Sequence, residues 1–147
     1  MECITKAFEA LDVFELYEIL KLRAEVFVVE QNCPYQDVDD LDQFALHNLM
    51  YNDDNELVGY TRILPPGARY KEVCISRVVT SPSVRRLGWG KPLMEYTIQK
   101  ALASFPEPAI RISAQAYLTD FYQSLGFETV GEGYLEDDIP HIEMLRK

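Results

Sequence analysis

Two glycines and several cations stand together in the segment SPSVRRLGWG, which follows a β-branched run and precedes a helical pattern. Glycine lets the backbone curl tightly, and the free amides at a helix N-terminus favour a bound phosphate. Arg85, Arg86 and Lys91 add positive charge beside Gly88 and Gly90, in a chain whose formal charge is −10. The segment therefore predicts a phosphate or pyrophosphate site, although a glycine turn with solvated arginines fits the same residues.

The glycine spacing separates this segment from two common nucleotide-binding loops. A Walker A loop requires GxxxxGK[ST], which the sequence lacks. A Rossmann fingerprint requires GxGxxG after the first strand and an acidic residue about 20 positions further on. Neither of these two nucleotide-binding loops is favoured.

A second candidate for chemistry is Tyr122, in the stretch AQAYLTDFYQSLGF. It shares a helix face with Leu118 and Leu125, so its ring can pack while its hydroxyl reaches a cleft. A phenol, whose ordinary pKa is about 10, stays protonated at neutral pH and can give a proton to a departing thiolate. The alternative is a core tyrosine whose hydroxyl is satisfied within the protein.

The residue pattern also predicts the elements that must position these groups. Asp12 and Glu15 form a capping-box pattern at the start of a helix that reaches about Val28. The order β-α-β-β-β-α-β-α-β-β predicts a mixed sheet with helices on both faces. We expect strands at 4–8, 46–51, 57–64, 72–80, 109–114, 127–130 and 142–145, a loop at 31–42, and further helices at 90–104 and 118–125.

Composition narrows the class of protein. The 147 residues, 48% hydrophobic and 26% charged, predict a single globular domain over residues 1–147. Twenty-four acidic residues against 14 basic ones argue against a nucleic-acid partner. No signal peptide or membrane span is recognisable, so we expect a cytoplasmic protein without a membrane partner. Three cysteines without a CxxC pair, and only two histidines, predict free thiols and no metal site.

Several segments resemble the GNAT superfamily of N-acetyltransferases, and in particular its ElaA-like branch. RRLGWG (85–90) is similar to the acyl-CoA signature [QR]xxGx[GA], and FYQSLGF (121–127) to the helix end that follows it downstream. The likeness extends to 22–39, 114–127 and 137–144, and so covers nearly the whole chain in order. It implies the GNAT fold, an α/β (α+β) architecture with a mixed, mostly antiparallel sheet, helices on both faces and a splayed central strand.

The resemblance also implies a function. Acetyl-CoA would be the cofactor, and its acetyl group would pass to a primary amine of a small molecule or a peptide. Tyr122 takes the place of the general acid, strand-end backbone would hold the pantetheine arm, and the loop with the helix start would hold the pyrophosphate. The implied cofactor-binding residues are Val78, Val79, Thr80, Arg85, Arg86, Leu87, Gly88, Trp89, Gly90, Lys91 and, at the end of the fifth strand, Gln115.

A general base is also needed, because an amine with a pKa near 10 is mostly charged at pH 7. Some GNAT members carry a glutamate inside the central or fifth strand, but here the fifth strand holds no acid and the central strand has Cys74, with Glu72 only at its edge. Glu30 and His141 are our candidates, each against a structural alternative, and Glu143 lies near His141 in the chain. We expect His47 to be satisfied or exposed and Glu72 to be a solvated charge.

Other interpretations stay open. The four aspartates between residues 37 and 42 predict a solvated loop or, as the alternative, a filter that attracts cationic amines. Arg23 with Phe27 is similar to the first-helix pattern of acyl-homoserine-lactone synthases, which keeps a lactone-forming acyltransferase as a distant alternative. The missing strand glutamate keeps a non-catalytic acyl-CoA sensor as another, ahead of a purely structural interaction protein. An exposed edge at the last strands would allow a homodimer.

Overall fold

The computed structural model describes all 147 residues, and its main elements are β1 (Glu2–Ala7), α1 (Val13–Arg23), β2 (Leu46–Tyr51), β3 (Leu57–Leu64), β4 (Val73–Thr80), α2 (Gly90–Ser104), β5 (Ile110–Gln115), α3 (Thr119–Gln123), β6 (Glu128–Glu136) and β7 (Ile139–Arg146). The seven strands form one sheet in the order β1-β2-β3-β4-β5-β7-β6. Only β4 and β5 pair in parallel. The predicted order of strands and helices is confirmed. No helix combines the length and the apolar character that a membrane crossing requires.

Helix α1 begins at the predicted capping box. The Asp12 carboxylate accepts from the Glu15 amide at 2.7 Å, and the Glu15 carboxylate accepts from the Asp12 amide at 2.9 Å. After Arg23 the helix continues with the wider turns of a π-helix over Ala24–Glu30, two residues past the predicted end. Because π turns are rare and frequently occur at functional sites, this segment is a candidate for the wall of a site.

Helices cover both faces of the sheet, as predicted. Successive residues of a strand point to opposite faces, and β3 shows the consequence. Tyr60 packs in one cluster with Ile19 of α1, whereas Ile63 packs in another with Met94 of α2. Tyr122 of α3 belongs to the second cluster. Helix α1 therefore lies on one face, and α2 and α3 lie on the other.

The central strand is splayed, as the family resemblance implied. Strand β4 pairs with β5 only at Val73 and Cys74, although β4 continues to Thr80 and β5 to Gln115. The second half of β4 therefore has backbone N–H and C=O groups without a strand partner on that side. The sheet therefore opens between the diverging ends of β4 and β5.

A bulge marks β4 at this gap. Tyr60 pairs with Val79 and Arg62 with Ser76, so two residues of β4 oppose one residue of β3. One of the two, Arg77, has a φ of +52°, a left-handed conformation that costs free energy in a residue other than glycine. Bulges of this kind redirect a strand and are frequent beside active sites.

The last two strands are longer than the sequence predicts. We expected strands only at 127–130 and 142–145. Gly131 instead lies in a bulge, with a φ of +75°, where β6 continues past it. Asp137 and Asp138 have φ values of +50° and +63° and form a two-residue hairpin turn. Strand β6 is the exposed edge of the sheet on this side.

Candidate active site

A cleft of about 830 Å³ opens where β4 and β5 diverge. Its size is typical of a site for a small molecule or cofactor. Three of the implied cofactor residues, Arg86, Leu87 and Trp89, do not line it. The predicted site residues that the structure brings together in the cleft are Glu30, Val78, Val79, Thr80, Arg85, Gly88, Gly90, Lys91, Gln115, Tyr122 and His141.

One wall of the cleft is a segment that we call the glycine loop, residues 81–91. A 3₁₀ turn over Pro82–Leu87 leads to Gly88, whose φ of +74° lies in the region that favours glycine. Helix α2 begins at Gly90, so the amides of its first turn have no intrahelical acceptor. The loop therefore presents unpaired backbone donors and the positive end of a 15-residue helix to the cleft.

The side chains of the glycine loop have separate surroundings. Trp89 packs against the buried cluster that includes Val84 and Leu93, so it anchors the loop to the core. Leu87 is 61% exposed. Arg86 is exposed and makes no ion pair, and Lys91 lines the cleft without one. These two cations are available to an anionic ligand.

Arg85 and Glu30 form an ion pair that joins the glycine loop to the π-helix. The Arg85 Nη2 lies 2.6 Å from Glu30 Oε1, and Nη1 donates to Oε2 at 2.7 Å. Arg85 Nη2 also reaches the Thr80 carbonyl at 3.3 Å. The hydrogen bond and charge of Arg85 hold the pKa of Glu30 below its ordinary value, which makes this carboxylate a weaker base. Gln31, which follows the π-helix, also contacts Gln115 at the end of β5 at 3.4 Å.

Tyr122 combines a packed ring with an open hydroxyl. The ring meets Phe121 and Phe127 edge-on, with centroids 5.2 and 5.9 Å away. The side chain lines the cleft, and no protein group hydrogen-bonds its hydroxyl. Burial raises the pKa of Tyr122, because the phenolate is poorly solvated there. The hydroxyl therefore stays protonated at neutral pH and has its hydrogen available for a ligand.

His141 lies on β7 and is held by two neighbours. Its Nδ1 donates to the Ile139 carbonyl at 2.7 Å, and its ring stacks on Tyr134 with centroids 6.1 Å apart. Nε2 lies 3.4 Å from the Glu136 carboxylate. With the proton on Nδ1, a neutral ring carries its lone pair on Nε2 and can accept a proton there. The Glu136 carboxylate is placed to stabilise the resulting cation.

The other candidate bases do not line the cleft. The prediction that Glu72 is a solvated charge is wrong, because it pairs with Arg111 at 3.0 Å and is 9% exposed. Glu143 pairs with the same arginine at 2.9 Å. Hydrogen bonding to that arginine lowers the pKa of Glu72. His47 is buried as a satisfied histidine, with its ring nitrogens bonded to the Tyr60 hydroxyl and a backbone carbonyl.

The aspartates of residues 37–42 are neither a solvated loop nor a set of unpaired carboxylates. Three of them meet three arginines in an ion-pair cluster with N–O distances from 2.7 to 3.3 Å. Only Asp40 stays exposed. The prediction failed because the arginines come from α1, β3 and β4, and no local pattern brings them together. The members of this Arg–Asp cluster are Arg23, Arg62, Arg77, Asp37, Asp39 and Asp42.

The sequence did not identify most residues of a second wall of the cleft. We call it the charged wall, and it consists of Tyr35, Asp39, Arg69, Arg77, Glu136, Asp137 and His141, all of which line the cleft. Contacts hold its segments together: Arg69 pairs with Glu136 at 3.2 Å, and the Cys33 thiol donates to the Asp137 carbonyl at 3.4 Å. The one available signal was an arginine inside each of two apolar strands, at positions 62 and 77.

Comparison with known proteins agrees with this architecture. A family model described as an acetyltransferase (GNAT) domain matches residues 16–147. Protein ElaA of Escherichia coli strain K12 is 46% identical over 139 residues, which are 93% of this chain and 90% of ElaA. The crystal structure of E. coli ElaA matches the fold with a TM-score of 0.91 at 43% identity, over 100% of both chains.

Two further structures share the fold. An acyl-CoA N-acyltransferase from Pseudomonas aeruginosa matches with a TM-score of 0.93 at 43% identity, over 100% of both chains. An aminoglycoside 6′-N-acetyltransferase complexed with coenzyme A matches at 15% identity with a TM-score of 0.67, over 97% of this chain and 96% of that one. The predicted fold class is confirmed. The chain belongs to the GNAT family of acetyltransferases, in its ElaA-like branch.

Proposed function

We propose that this protein transfers an acetyl group from acetyl-CoA to a primary amine of a small molecule or a peptide. The observation that carries the proposal is the unpartnered hydroxyl of Tyr122 in the same cleft as the glycine loop and the unpaired half of β4. These three features would supply a proton donor, an anion site and backbone hydrogen bonds within one cleft. Acetyl-CoA, when bound, supplies the acetyl group as a thioester.

The chain has groups that fit each part of such a cofactor. The first-turn amides of α2 and the Lys91 cation, which line the cleft, suit a pyrophosphate. Arg86 is an exposed cation of the same loop outside the cleft lining and adds positive charge to it. Backbone groups of Val78, Val79 and Thr80, which have no partner on β5, suit the amides of a pantetheine arm. One of these backbone donors would also stabilise the negative charge that develops on the thioester oxygen.

Two side chains would move the protons. The C–N bond forms as the C–S bond breaks, so the amine loses a proton and the departing sulfur gains one. His141 is the base that the geometry favours, because its Nε2 can accept and Glu136 can stabilise the imidazolium. Glu30 is the weaker candidate, since Arg85 occupies its carboxylate. Tyr122 would donate to the sulfur as charge develops there.

The experiment is a thiol-release assay with acetyl-CoA and a panel of primary amines, with the acetylated product identified by mass spectrometry. We expect release to depend on the amine. In His141→Gln we expect kcat to fall about 100-fold at pH 7 and to recover partly at higher pH, where the amine is neutral without help. Equal loss at every pH would argue against the base role. Asp40→Asn, an exposed substitution outside the cleft, is the control.

The same assay separates the acyl-CoA sensor from the enzyme. A sensor raises its melting temperature with acetyl-CoA but releases no thiol above the buffer rate with any amine. A protein with a purely structural role shows neither effect. Thermal shift without turnover across the panel would therefore overturn the catalytic proposal while leaving the cofactor site intact.

A further inference from the structure

The two walls of the cleft differ in the charge that they leave unpaired. The glycine loop carries Arg86 and Lys91, neither of which has an acidic partner. On the charged wall both cations are occupied: Arg69 pairs with Glu136 at 3.2 Å, and Arg77 pairs with aspartates at 2.8 and 3.3 Å. A carboxylate or phosphate on an acceptor would therefore find no available cation on this wall.

The acidic residues of the charged wall also differ in whether they make an ion pair. Asp39 contacts both Arg62 and Arg77, within a cluster of three arginines and three aspartates that is neutral as a whole. Glu136 is shared between Arg69 and His141. Asp137 makes no ion pair, although it lines the cleft and is exposed. The charge that remains on this wall is one carboxylate.

The backbone of Asp137, the residue with this carboxylate, lies in a tight turn. Asp137 is the first residue of the hairpin turn between β6 and β7, four residues before His141. Its carbonyl accepts the Cys33 thiol at 3.4 Å, which ties the turn to the loop that carries Tyr35 and Asp39 of the same wall. The turn that carries Asp137 is therefore anchored at the cleft wall, which also includes the histidine that would receive the proton of the amine.

We propose that the acceptor carries a second cationic group besides the amine that is acetylated, and that Asp137 binds this group. This inference rests on the proposed function, because it names the class of acceptor for the same cleft. A carboxylate at the wall attracts a cation and orients it, and the Glu136 carboxylate beside it adds to the negative potential. A diamine meets this requirement, whereas a monoamine or an amino acid does not.

The test compares three probes of one length: 1,4-diaminobutane, butylamine and 4-aminobutyrate. Calorimetry on the protein saturated with coenzyme A measures binding, and thiol release from acetyl-CoA measures turnover. We expect the diamine to bind at least tenfold more tightly than butylamine and 4-aminobutyrate to bind most weakly. In Asp137→Asn the diamine should fall to the level of butylamine, whose own affinity should not change.

The matched control is Asp138→Asn, the neighbouring residue of the same turn, which does not line the cleft. Asparagine is among the residues preferred at both positions of such a turn, so each variant removes a charge and leaves the fold. Equal binding of diamine and butylamine, equal effects of the two variants, or no binding of the diamine would overturn the inference.

The two proposals fail in different ways. Diamine binding that depends on Asp137 without any thiol release would support the acceptor site and contradict the catalytic function. Thiol release that is as efficient with butylamine as with the diamine would support the function and overturn the role of Asp137. Diamine-selective release that Asp137→Asn abolishes would support both.

Discussion

The glycine loop and the charged wall face one cleft but are built differently. The loop is one continuous segment whose ligand groups are backbone amides and two unpaired cations. The wall gathers side chains from widely separated parts of the chain, and ion pairs fix them in place. Backbone groups are the same whatever the side chain, so they suit a part of a ligand that is constant. A side chain can be changed by a single substitution, so side chains suit a part of a ligand that varies. Under the proposed function, this difference would make recognition of the cofactor by the loop separable from recognition of the acceptor by the wall.

The largest effect should come from breaking the cluster behind the charged wall. Asp42 contacts Arg23 at 2.8 Å and Arg62 at 2.9 Å, and both arginines are fully buried. Asp42→Asn removes one of the two carboxylates that each of these buried arginines contacts, so we expect a loss of about 3 kcal/mol in the free energy of unfolding. Denaturant unfolding measures it. Asp40→Asn, in the same loop but exposed, should change stability by less than about 0.5 kcal/mol. Similar losses in both variants would contradict the role of the cluster.

Tyr122→Phe tests the chemistry shared by the two walls. Removing the hydroxyl takes away the proton donor and leaves the packed ring in place, so we expect kcat to fall about 100-fold with little change in the KM for acetyl-CoA. Steady-state kinetics across pH gives both values. Tyr17→Phe, an exposed tyrosine on the outer side of α1, is the matched control. Full turnover in Tyr122→Phe would remove the tyrosine from the mechanism.

Acid should weaken the charged wall through Asp39. Burial acts to raise its pKa, but hydrogen bonds and the charges of Arg62 and Arg77 lower it from 3.8 to about 2. A carboxyl with a lowered pKa stabilises the fold above its unfolded pKa, and this contribution disappears as pH falls towards 2. We expect about 2 kcal/mol of unfolding free energy to be lost between pH 4 and pH 2. Asp39→Asn should flatten this part of the stability curve, and an unchanged slope would contradict the assignment.

Arg86→Ala tests whether the charge of the glycine loop contributes to coenzyme A binding. The side chain is exposed and unpaired, so its loss should weaken coenzyme A binding about fivefold without affecting stability. Calorimetry at low and high salt should show the difference shrink at high salt, since exposed charges are screened. Lys71→Ala, an exposed cation outside the glycine loop, serves as control. Unchanged affinity in Arg86→Ala would remove this arginine from the pyrophosphate site.

The smallest effect is expected for the ion pair between Glu30 and Arg85. Both side chains are more than a third exposed, so Glu30→Gln should cost less than 1 kcal/mol of stability. If His141 is the base, kcat should stay within about threefold of its original value. A hundredfold loss in Glu30→Gln would reverse this assignment and make Glu30 the base. Thermal unfolding and steady-state kinetics on one preparation decide it.

The contrast between a wall made of one segment and a wall made of many explains how much of the site the sequence could predict. The glycine loop and Tyr122 were found because their signals are local: a glycine spacing before a helix, and an aromatic residue on a helix face. The strand order and the capping box of α1 are local in the same sense. Together these signals located one wall of the cleft and the general acid candidate.

The charged wall could not be predicted in the same way. Arg62 stands in the middle of an apolar strand, and its aspartate partners lie 20 and 23 residues away in a loop. A run of acids with no neighbouring cation looks solvated until the fold brings the arginines to it. The full length of β6 likewise depends on tertiary structure, because only the fold shows that the strand continues through the bulge at Gly131.

A crystal structure of the protein grown with coenzyme A tests the central claim most directly. We predict that the pyrophosphate lies on the amides of the glycine loop and the first turn of α2. The pantetheine arm should pass between β4 and β5, with its sulfur within hydrogen-bond reach of the Tyr122 hydroxyl. Coenzyme A bound outside this cleft, or a sulfur remote from Tyr122, would contradict the account.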